Sequence, residues 1–146
     1  MSLTGQFLRV HEAIYKRTDG RIGHRMIGVP SLLLTTTGRR SGQPRTNALV
    51  YARDGQDYLV VASNGGVDRP PGWLHNVQAN PDVAVQIGRE QVRGAARVIA
   101  PSDPDYHRVW KLVNANNHDR YTAYQQQTSR PIPVIAITPA QPSASG

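Results

Sequence analysis

A mainly β fold, an antiparallel barrel of six or so strands trimmed with short helices, is what this sequence predicts. Short β-branched or apolar runs recur between turn residues along most of the chain. Helical patterns occur only near the start, after the third run and before the last. No GxGxxG fingerprint, Walker loop, HExxH, GxSxG or paired carboxylates at catalytic spacing interrupt that order, which argues against a parallel α/β sheet.

The elements follow in order. Residues 6–17 set Phe7, Leu8, Val10, Ile14 and Tyr15 among Arg9, His11, Glu12 and Lys16, the pattern of an amphipathic helix that covers a face of the domain or rests on a membrane surface. Residues 18–30, with glycines at 20, 23 and 28, read as loop. Three runs then form a meander: SLLLTTT at 31–37, RTNALVYAR at 45–53 and DYLVVAS at 57–63. Gly38 to Pro44 closes the first hairpin, and the turn dipeptide Asp54-Gly55 closes the second. After a loop at 64–71, GWLHNVQAN has Pro71 at a first helical position and Asn80-Pro81 as a stop, so it reads as one short helix. Residues 82–88 and 91–100 return to strand. Residues 104–113 are helical by pattern, 114–119 form a polar loop, 121–127 a short helix and 132–138 the last strand. The division expected is an N-terminal helix and loop at 1–30, a barrel domain at 31–138 and a disordered tail at 139–146.

At 146 residues the chain makes one ordinary domain with a sizeable core. It has no cysteine, hence no disulfide framework or zinc-thiolate site, and no metal site is expected. No segment reaches the roughly 20 apolar residues of a membrane span and the N-terminus lacks a secretion signal, so a cytoplasmic location is expected, with at most peripheral membrane contact through the first helix. The net charge of +7 favours an anionic partner. It is spread as +3 over residues 1–30, +3 over 31–100 and +1 over the rest, without the basic stripe and interleaved aromatics of a nucleic-acid reader. One anionic small molecule fits better than a polymer.

The local concentration of that charge is TTTGRRSGQPR, Thr35 to Arg45. Arg39, Arg40 and Arg45 supply guanidinium forks for phosphate oxygens, and Gly38 and Gly42 allow turns that expose backbone N–H groups. A solvated basic hairpin has the same composition, so this motif alone leaves both readings open.

Three segments in fixed order carry a family likeness: LLTTTGRRSGQPRTNALVY, VVASNGGVDRPPGWLHNVQANPDVAVQI and the Tyr-rich stretch before RPIPVIAI. They resemble the deazaflavin-dependent nitroreductase family, split β-barrel (FMN-binding split barrel-like) oxidoreductases of actinobacteria that use coenzyme F-420, an 8-hydroxy-5-deazaflavin. The resemblance spans about residues 30–138. It implies that Arg39, Arg40 and Arg45, with Ser41 and Gln43 as auxiliary donors, hold the coenzyme's anionic end, and that the strand from Asn47 through Ala48, Leu49 and Val50 to Tyr51 lies along the ring. Ala62, Ser63, Asn64, Gly65 and Gly66 would let the ligand approach closely, while Trp73 and Asn76, three apart on the short helix, would pack on it and hydrogen-bond to it. Asn64 departs from the family, which often has lysine there, leaving one charge fewer or a substitute such as Arg69. Tyr121 and Tyr124 would line the substrate side, and with Ser63 they are the candidate proton donors. The implied activity is hydride transfer from the reduced coenzyme to an electron-poor acceptor, a quinone, enone or enoate, or nitroaromatic, because the cofactor carries the hard chemistry. An FMN-dependent split-barrel oxidoreductase and a non-catalytic cofactor or anion carrier are the alternatives, and the state is monomer or homodimer.

Overall fold

The computed structural model describes residues 25–26, 29–115 and 117–140. The predicted helix at 6–17 and most of the tail lie outside them. Among the described residues there are eight strands: β1 (Arg25–Met26), β2 (Val29–Thr37), β3 (Pro44–Val50), β4 (Ala52–Asp54), β5 (Asp57–Val61), β6 (Asp82–Ile87), β7 (Glu90–Ile99) and β8 (Val134–Pro139). Three helices accompany them: α1 (Gly72–Ala79), α2 (Tyr106–Ala115) and α3 (Arg120–Gln125). A single 3-10 turn, Asn64–Gly66, follows β5.

All pairings are antiparallel. The sheet runs β1-β2-β6-β7-β8-β5-β4, and β3 pairs with β2. One expected strand is therefore two: the run 45–53 pairs with β2 in its first half and with β5 in its second, and the change of partner joins the ends of the curled sheet. The break falls at Tyr51, whose N–H donates to the carbonyl of Pro30 at 3.2 Å. Proline has no N–H to return, so the ladder weakens where the chain must leave its first neighbour. Strand pairing also begins earlier than expected, because Arg25 and Met26, read as loop, pair with Pro30 and Val29.

Alternation divides the core. Leu32 and Leu34 of β2, Tyr58 and Val60 of β5, Val83 and Val85 of β6 and Ile135 and Ile137 of β8 fill the interior, closed by Trp73, Leu74 and Val77 of α1. The intervening residues Leu59, Val61, Val134 and Ala136 face outward beneath α2 and α3. Helix α2 meets them with Tyr106, Val109, Trp110 and Val113, the i, i+3, i+4, i+7 stripe its sequence carries. Helix α1 begins one residue later than predicted: Pro71 keeps extended backbone (φ −66°, ψ 148°) and stands just before the first turn.

Candidate active site

Strand β3 borders β2 on one side and an opening on the other. The N–H of Gly38 bonds to the carbonyl of Gln43 at 2.8 Å, and that of Tyr51 to Pro30, which fixes the phase of the ladder. Arg45, Asn47 and Leu49 direct their backbone groups at β2, so Thr46, Ala48 and Val50 turn theirs toward the opening. The sheet edge thus offers a row of donors and acceptors at the lip of a cleft.

That cleft, of about 380 Å³, is walled by Asn47 to Val50 on one side, by Val61, Ser63, Asn64, Gly65, Pro71 and Trp73 on the second, and by Asn117, Arg120, Tyr121 and Tyr124 on the third. A second hollow of about 380 Å³ is lined by Gly38, Arg39, Arg40, Ser41, Arg45, Asn47, Gly72, Trp73 and Asn76. Asn47 and Trp73 line both, so the two adjoin. Neither lining contains an acidic side chain.

The hairpin holding the arginines is set by short polar contacts. Asn76, buried on α1, donates through Nδ2 to Thr36 Oγ1 at 3.0 Å and accepts the N–H of Arg39 on Oδ1 at 3.1 Å. Ser41 Oγ accepts the N–H of Gln43 and the Nη2 of Arg45 at 3.1 and 3.3 Å. The guanidinium groups of Arg39, Arg40 and Arg45 have no carboxylate partner among the described residues.

Behind the ring-sized cleft, the turn after β5 is held from outside. Arg130 donates Nη1 to the carbonyl of Ala62 at 3.2 Å, Nη2 to that of Ser63 at 2.8 Å and Nε to that of Val67 at 3.0 Å. Asn64, at φ 47°, donates Nδ2 to the carbonyl of Arg69 at 2.8 Å. Gly66, at φ 84°, lies so close to α3 that a Cβ there would stand 3.0 Å from the carbonyl oxygen of Tyr124. The third wall carries two rings packed edge to face, Tyr121 and Tyr124, with centroids 6.2 Å apart. Burial pushes the Tyr121 hydroxyl up to about 12, against a smaller lowering by a hydrogen bond from Asn117. At neutral pH it stays protonated and serves as a hydrogen-bond donor.

A protein-family model described as F420H(2)-dependent quinone reductase matches residues 7–139. The chain belongs to the F420H(2)-dependent quinone reductase family. An F420H(2)-dependent quinone reductase of Mycobacterium tuberculosis is 58% identical over 134 residues, covering 91% of this chain and 90% of the relative. Among solved structures, an F420-H2 dependent reductase, FDR-A, superposes with a TM-score of 0.66 at 37% identity over 74% of this chain and 93% of its own. A domain-swapped dimer gives 0.69 at 34% identity, over 93% and 99%. The split-barrel fold expected from the sequence is therefore shown, and the protein is an oxidoreductase whose cofactor is coenzyme F420 and whose acceptors are of the quinone type. Of the two cofactors expected, coenzyme F420 is the one that the family's description names.

The residues fit an F420H(2)-dependent quinone reductase. A deazaflavin ring needs an apolar slot with backbone hydrogen-bonding groups at its edge, which the free side of β3 supplies, and its acidic tail needs an acid-free basic hollow next to that slot. Of the residues expected at the site, Arg39, Arg40, Ser41, Arg45, Asn47, Ala48, Leu49, Val50, Ser63, Asn64, Gly65, Trp73, Asn76, Tyr121 and Tyr124 line one or both hollows. Four do not. Gln43 is exposed on the hairpin, Tyr51 packs its ring on Tyr58 with centroids 5.8 Å apart, Ala62 is wholly buried in the interior core and Gly66 is buried against α3. Sequence reasoning missed Asn117, Arg120 and Arg130. Arg120 had a signal, since it precedes Tyr124 by one helical turn (i, i+4). Arg130 had none, because its three acceptors lie more than sixty residues earlier in the chain.

Proposed function

We propose that the β3 cleft receives the coenzyme ring with its acceptor stacked on the side of Tyr121 and Tyr124, and that the adjoining arginine hollow holds the coenzyme's anionic tail. The observation that carries this reading is the shared wall of Asn47 and Trp73, which runs a ring-sized slot into an acid-free basic hollow. When bound, the reduced coenzyme supplies a hydride. The chain's own work is placement and charge. The backbone groups of Thr46, Ala48 and Val50 fix the ring edge, Trp73 closes the slot where it meets the hollow, and Ser63 and Tyr121 offer O–H groups to an acceptor oxygen. Tyr121 keeps its proton, so the proton that completes the reduced product comes from Ser63-bound water or from solvent.

The same placement serves other flat acceptors with a low-lying empty orbital. We extend the acceptor range to enones, enoates and nitroaromatics, with quinones the preferred class because two carbonyl oxygens can engage the donors on the Ser63 and Tyr121 walls together. A steady-state assay that follows oxidation of the reduced coenzyme tests this. Quinones should be turned over fastest, and enones and nitroaromatics more slowly but above background. Turnover of quinones alone would confine the acceptor range, and no turnover with any of them would remove the acceptor from this cleft.

A further inference from the structure

We propose that Arg120 is the anion-holding residue of the acceptor end: it receives the negative oxygen that a quinone acquires on reduction. The inference rests on the reading of the β3 cleft as the acceptor site and adds a residue to it. Arg120 opens α3 and lines that cleft, half-buried. Its guanidinium has no ion pair and no hydrogen bond among the described residues.

Other interior-facing or inter-element arginines of the fold are engaged. Arg108 grips Asp54 and Asp105, Arg97 pairs with Asp103, Arg53 stacks over the Tyr58 ring and Arg130 holds three carbonyls. A half-buried cation with nothing opposite it loses hydration without compensation. Such a cost is offset when an anion arrives in the cleft. The charged groups nearest in sequence do not supply one, because His118 and Asp119 are both exposed and neither lines the cleft; Tyr121 and Tyr124 are the titratable groups that do.

Arg120 is also separate from the arginine hairpin. It lines only the ring cleft, whereas Arg39, Arg40 and Arg45 line only the hollow beyond Trp73 and Asn47. The site therefore has two basic ends, one for the coenzyme's tail and one for a second anion. Quinone reduction creates that anion. A hydride delivered to one carbonyl oxygen becomes its O–H, the electron pair moves through the ring, and the opposite oxygen becomes a phenolate; one proton from solvent then completes the hydroquinone. The C–H bond of the reduced coenzyme breaks, the coenzyme is oxidised by two electrons and the quinone is reduced by two. A guanidinium poised at the phenolate lowers the barrier to that transfer.

The test uses two naphthoquinones of similar shape at pH 7: 2-hydroxy-1,4-naphthoquinone, which is ionised and mimics the anionic product, and its neutral 2-methoxy analogue. Their binding to the purified full chain is measured by calorimetry with the oxidised coenzyme bound at saturation, for the unsubstituted protein and for Arg120→Gln and Arg120→Lys. The ionised quinone should bind the unsubstituted chain at least tenfold more tightly than the neutral one. Arg120→Gln should abolish that preference, and Arg120→Lys should restore most of it. Equal affinity for the two quinones, or a preference that survives Arg120→Gln, overturns the role of Arg120 and leaves the cleft reading standing. Binding of neither quinone overturns the cleft reading and this proposal with it.

Discussion

Asn76 joins three parts of the site through one amide. Its Nδ2 reaches Thr36 of β2, its Oδ1 takes the N–H of Arg39, and its side chain lines the arginine hollow one turn along α1 from Trp73. The sequence pointed to Asn76 as a direct ligand of the coenzyme, and the structure adds that its amide already holds the hairpin in place. Asn76→Ala leaves Thr36 Oγ1 without its partner in a buried setting and the Arg39 N–H without its partner in a half-buried one. Loss of such a partner costs about 1–3 kcal/mol. Urea denaturation should show a drop in stability of that order, and coenzyme affinity should fall with it; a variant as stable as the parent would mean that the hairpin is held by something else.

At the scale of elements, one exposed ion network ties α2 to a neighbouring hairpin. Arg108 places Nη1 and Nη2 on the two oxygens of Asp54 at 2.8 Å and its Nε on Asp105 at 2.8 Å, tying the helix to the tip of the β4–β5 hairpin. The hydrogen bond from Arg108 is the main cause that holds the Asp54 carboxyl below its ordinary value of 3.8, and the separate bond from Arg108 to Asp105 lowers Asp105. A carboxylate with a depressed folded-state value adds stability that is complete above the unfolded value and is lost as pH falls through the folded one. Arg108→Met should therefore lower the Tm at pH 7, and the gap to the parent should close in acid below 3.8. A gap that persists in acid would assign the loss to packing of the long side chain. The same element scale shows what the sequence concealed. Runs of alternating Val, Ile and Leu mark β5, β6 and β8, but nothing in RTNALVYAR announces that Tyr51 is where one strand changes neighbour. The reason is an event on another strand, the missing N–H of Pro30.

Over the whole molecule, charge and shape act together. A net charge of +7 favours an anionic partner, and the acid-free hollow beside Asn47 and Trp73 gathers three of the arginines where we propose the coenzyme's tail lies. The fold class was legible because strand alternation and turn residues are local signals, and most cleft residues were legible because they sit in contiguous motifs. Arg130 was not, since its three acceptors are met only after the chain returns from a long excursion, whereas the one signal for Arg120 was its place one helical turn before Tyr124. The central claim is that the arginine hairpin anchors the coenzyme's tail next to the ring slot. Fluorescence titration of coenzyme F420 into Arg40→Ala/Arg45→Ala tests it most directly. Charge-assisted hydrogen bonds are worth about 1.5–3 kcal/mol each, so affinity should fall at least about tenfold and lose much of its salt dependence. An affinity and a salt dependence equal to those of the parent would contradict the claim and move the tail away from the hairpin.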